Sequence, residues 1–144
     1  MFLNLLSEDK KILFRELDLY VAKTDGVLHE KEKNIINFHC NEMQIMNNNF
    51  ENILSLKETV ERISISFSDK EKRMVFLELL SVVMADEKYS KDEDNFIKEI
   101  AVTFNIDKES IDSAFNILLD LKNTYGKLSQ FIEEVWLWIM MKIK

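Results

Sequence analysis

Apolar residues recur every three or four positions along most of the chain, broken at a few polar loops. The first stripe, Leu13, Leu17, Tyr20 and Val21, follows Ser7, Glu8 and Asp9, an N-cap residue and two acids suited to the positive end of a helix dipole. It predicts a helix running to the break at Thr24-Asp25-Gly26. A second helix is predicted over residues 30–43 with Ile36, Cys40 and Met43 inward, followed by a loop at Asn47, Asn48 and Asn49. A third is predicted over residues 51–63, although Ile63, Ile65 and Phe67 alternate with polar residues and fit a short extended piece equally. Next, Phe76, Leu79, Leu80 and Val83 line one helix, and Ile97, Ile100, Ala101 and Phe104 another. Ile111, Ala114, Phe115, Leu118 and Leu119 line the helix that follows, and Gly126 suits a left-handed terminus just past its end. A final segment over residues 128–143 brings the total to about seven helices with no convincing sheet. The expectation is an all-α, single-domain helical bundle over residues 1–144.

The pattern also repeats. Residues 7–45 can be laid on residues 68–106 without a gap, each paired with the residue 61 positions later, and nine of the 39 pairs are identical. Asp25/Asp86 and Glu32/Glu93 are among them, so the interval of seven residues from Asp to Glu is kept in both copies. A duplicated unit predicts a pseudo-two-fold architecture, in which each copy buries against the other an apolar face it cannot bury alone.

Composition narrows the function classes. At 47% hydrophobic and 31% charged residues, the chain has the mix of a soluble globular protein and not that of a disordered one. The net charge of −7 disfavours nucleic acid as partner, since phosphate binding draws on clustered Lys and Arg. Two glycines, Gly26 and Gly126, cannot build a glycine-rich phosphate loop or a serine-hydrolase elbow. Cys40 is the lone cysteine, so no intramolecular disulfide can form; with no secretory signal and no run of about 20 apolar residues, a reducing cytoplasm is the expected compartment.

Candidate chemistry gathers in the loop between the two main helices of each copy, Asp25 to Glu32 and Asp86 to Glu93. Asp25, Gly26, Leu28 and Glu32 match the fifth, sixth, eighth and twelfth positions of an EF-hand calcium loop. The first and third positions would be Val21 and Lys23, then Val82 and Met84, none of which offers a carboxylate, so an EF-hand is not expected. Ser90 and Glu93 form a capping-box pair, which gives Glu93 a structural role. His29 holds the equivalent cap position as a poorer acceptor, leaving Glu32 less explained. Asp25-Gly26 is ordinary turn chemistry. His39, paired with Ile100 in the repeat, reads as a partly buried, hydrogen-bonded histidine, and Cys40 as a small core hydrophobe. A two-histidine zinc site and a Ser-His-Asp or Cys-His arrangement are not expected, and no catalytic residue is assigned.

At these loops the sequence resembles the TerB-like family, named for tellurite-resistance proteins and also found in some DnaJ-type co-chaperones. Leu17-Asp18-Leu19-Tyr20-Val21-Ala22-Lys23-Thr24-Asp25-Gly26 resembles the family's apolar helix ending in Ala-Asp-Gly, and Glu32 falls at its recurring Glu. In the second copy Ala85-Asp86 and Glu93 fit, while Glu87 stands where glycine is often seen. The resemblance covers residues 7–119. It implies an all-helical pseudo-two-fold fold, a place in bacterial stress or phage-associated operons, a link to metal ions and no enzyme activity. The family's acidic positions fall on Asp25, Glu32, Asp86 and Glu93, the candidate metal ligands.

The resulting expectation is a non-enzymatic stress-response module acting through protein contacts, with no required cofactor and a divalent cation bound weakly at the acidic loops. The alternatives are a metal-dependent hydrolase and a peripheral membrane adaptor. The adaptor rests on residues 131–143, ten of which are apolar, more than one helical face can hold. A helix so apolar is expected to be buried nearly all round, by closing the bundle, by pairing in a homodimer or by entering a partner's groove. A membrane surface would be met by Lys142 and Lys144 but opposed by Glu133 and Glu134.

Overall fold

The computed structural model describes residues 1–47, 49–85 and 90–143, with the side chains at 85, 135–140 and 143 outside the description. A 3-10 turn at Leu3–Leu5 leads into six α-helices: α1 Glu8–Ala22, α2 Glu30–Met43, α3 Leu56–Ser66, α4 Asp69–Ala85, α5 Lys91–Thr103 and α6 Lys108–Ile143. Among the described residues there is no strand, and the chain is all-α.

The 61-residue repeat reappears in the helix boundaries. Shifting α1 and α2 by 61 positions places their first residues, Glu8 and Glu30, on Asp69 and Lys91, the first residues of α4 and α5. Ser7 and Ser68 cap equivalent helices, their carbonyls accepting from Lys11 N and Lys72 N at 2.9 Å in both copies. Lys10 and Glu71, themselves equivalent, meet in an ion pair of 2.8 Å. Contact between equivalent positions is what a two-fold relation between the copies brings about.

The helices form two compact units, Met1–Asp107 and Lys108–Lys144. In the first, α1 packs against α2, α3 and α4, and α4 packs in turn against α2 and α5. Phe14 and Leu17 of α1, Ile36 of α2, Ile63 of α3, Leu79 of α4 and Ile97 of α5 lose essentially all contact with solvent. Each such side chain contributes about 1.5–3 kcal/mol by leaving water. Of these, Leu17, Ile36, Leu79 and Ile97 are positions that the helical spacing marks as inward.

Three local expectations are corrected. The third helix starts at Leu56 instead of residue 51, because the stretch before it is tied to α1. Glu16, buried in α1, accepts from Ile53 N at 2.9 Å and from Asn52 Nδ2 at 2.6 Å, while Tyr20 donates its hydroxyl to Leu54 O at 2.6 Å. Ile63 and Ile65 then belong to helix, since Ser55 caps α3 by accepting from Glu58 N at 3.1 Å; only Phe67 is extended. Finally, Gly126 does not end a helix. Lys108–Ile143 runs unbroken, giving six helices instead of about seven, and the only glycine with positive φ among the described residues is Gly26. One glycine inside a 36-residue helix costs about 1 kcal/mol against alanine, too little to break it.

Within α6 the expectation of burial nearly all round does not hold for Phe131, Ile132 and Met141, each more than 60% exposed. The other apolar side chains of residues 135–140 and 143 lie outside the described ones.

Candidate functional site

The first acidic loop joins α1 to α2. Thr24 ends α1 by donating its hydroxyl to Val21 O at 2.7 Å, and Gly26 takes φ of 83°, open only to a residue without Cβ at little cost. Asp25 Oδ1 accepts from Val27 N at 3.0 Å, closing an Asx turn that aims the other oxygen, Oδ2, at His29 Nε2, 3.1 Å away. Glu32, in the first turn of α2, is buried. One ligand atom each from Asp25, His29 and Glu32 lies within 4.8 Å of the other two.

Of the four expected acidic ligands, the fold therefore brings together Asp25 and Glu32, and adds His29. Glu93 is not part of that group. It serves the N-terminus of α5, where Ser90 Oγ accepts from Glu93 N at 3.1 Å and donates to Glu93 Oε1 at 3.1 Å. At α4 the box is reciprocal, with the carboxylate reaching back to the cap N–H: Ser68 N donates to Glu71 Oε1 at 3.0 Å and Glu71 N to Ser68 Oγ at 3.1 Å. Asp86 lies outside the described residues.

The donor set decides which ion fits. Calcium takes six to eight oxygens, and two carboxylates supply too few; Val21, at the first EF-hand position, is buried inside α1. One imidazole with two carboxylates suits zinc or a similar transition ion, with water completing the shell. Bonds of about 2.0–2.2 Å would bring ligand atoms to within about 3.3 Å of each other in a tetrahedron, so the loop would close slightly around the ion.

A second polar cluster lies in the core. His39 Nδ1 is 2.9 Å from Asp18 Oδ2 and its Nε2 is 3.2 Å from Glu78 Oε2, with all three residues buried. Glu78 Oε1 pairs with the α-ammonium of Met1, which also lies 2.8 Å from Glu42 Oε1. Burial alone would lower the His39 pKa, but the two flanking carboxylates outweigh it and raise it to about 9. Burial likewise works against the charge of Glu78, yet the hydrogen bonds from His39 and Met1 hold its pKa at about 2. Asp18 moves the other way, raised by burial despite His39, and its Oδ1 has no hydrogen-bond partner. Beside it, burial and the Asp18 charge push Cys40 up to about 11, so the thiol stays protonated and inert.

Sequence reading missed two things here. His29 reads as a poor cap and not as a ligand, because Asp25 and His29 lie in the loop before α2, where helical spacing marks no shared face. The Asp18–His39–Glu78 chain was marked only by single charges inside apolar runs, Leu17-Asp18-Leu19 and Leu77-Glu78-Leu79.

The family model of tellurite resistance protein TerB matches residues 43–116, just over half of the chain. The chain belongs to the TerB family. The match spans α3, α4 and α5 and the beginning of α6, and so takes in the whole second copy of the repeat. No curated protein and no solved structure matches the chain significantly. No helix of the described residues is long and apolar enough to cross a membrane.

Proposed function

We propose that this TerB-family chain is a non-enzymatic binding module of a bacterial stress response, working in the cytoplasm through contacts with another protein and tuned by a divalent cation at the α1–α2 loop. The observation that carries this reading is the convergence of Asp25, His29 and Glu32. Asp25 is fixed by its Asx turn and Glu32 by helix α2, so an ion bound between them would tie the end of one helix to the start of the next. The loop would then present one surface with the ion and another without it. The mixed nitrogen and oxygen donors favour zinc or a similar ion over calcium. Glu93, with its cap role, falls outside this site.

Titration calorimetry with zinc and calcium salts tests the reading. Zinc is expected to bind one ion per chain and to lose that binding in Asp25→Asn. Calcium heats at micromolar concentrations, or zinc binding that survives Asp25→Asn, would contradict it.

A further inference from the structure

We draw no further inference here: the strongest candidate, the apolar groove between α3 and α5 lined by Leu56, Val60, Phe96 and Ile100, carries none because nothing in the structure shows what covers it.

Discussion

Gln44 and Asn105, 61 residues apart, both adopt left-handed backbone, with φ of 58° and 60°. Each ends the second helix of its copy in the same way: Ile45 N donates to Cys40 O at 3.0 Å and Ile106 N to Ala101 O at 2.8 Å. A residue with Cβ is strained there, by roughly 1–2 kcal/mol, though Asn tolerates the conformation better than Gln. Gln44→Gly is therefore expected to stabilise the protein by about 0.5–1 kcal/mol after the added freedom of the unfolded chain is subtracted, and Asn105→Gly by less. Urea denaturation of the two variants measures both.

Glu16 fastens the 52–54 segment to α1 through the Ile53 N–H and the Asn52 amide. Glu16→Leu leaves a backbone donor unmet beside the core and is expected to cost about 2–3 kcal/mol, whereas Glu16→Gln, which keeps an acceptor, costs less. Hydrogen exchange at Ile53 separates a loosened loop from a general loss of stability: only the loop should gain exchange in Glu16→Gln.

Between pH 6.5 and 9 the melting temperature is expected to fall by several degrees. His39, raised to about 9 in the fold, holds its proton more tightly there than in the unfolded chain, so its contribution is complete below about pH 6.5 and lost as pH rises through 9. The Met1 ammonium, also raised, adds to the same slope. Glu78 acts at the other end: held at about 2, it stabilises above its ordinary value of 4.5, and that contribution disappears as pH falls through 2. Melting His39→Gln across the same range should give a flatter alkaline limb and a lower value at pH 6.5.

How much of this was legible in the sequence depends on range. The helices, the repeat and the inward faces follow from spacing, because Leu13, Leu17, Ile97 and Ile100 are neighbours on a helix whatever surrounds them. The start of α3 was not legible, since it depends on Glu16 capturing Ile53 from 37 residues away. Gly126 misled because glycine ends helices in general, while its cost inside so long a helix is small. The Asp18–His39–Glu78 chain joins three helices and leaves no local spacing to read. At the loop, the acids were legible and His29 was not, because its place beside Asp25 is set by the Asx turn at Val27.

Calcium is expected to bind no tighter than about 10⁻⁴ M, given two carboxylates where six to eight oxygens are needed. A competition with a fluorescent calcium chelator reads affinities in that range, and an apparent value a hundredfold tighter would require oxygen ligands that these residues do not supply.

The most direct measurement is nuclear magnetic resonance of the two histidine rings during a zinc titration. With Asp25, His29 and Glu32 as the ligands, zinc moves the His29 imidazole signals, leaves those of His39 in place, and does neither in Glu32→Gln. Zinc that leaves His29 unmoved, or that moves it equally in Glu32→Gln, would contradict the site.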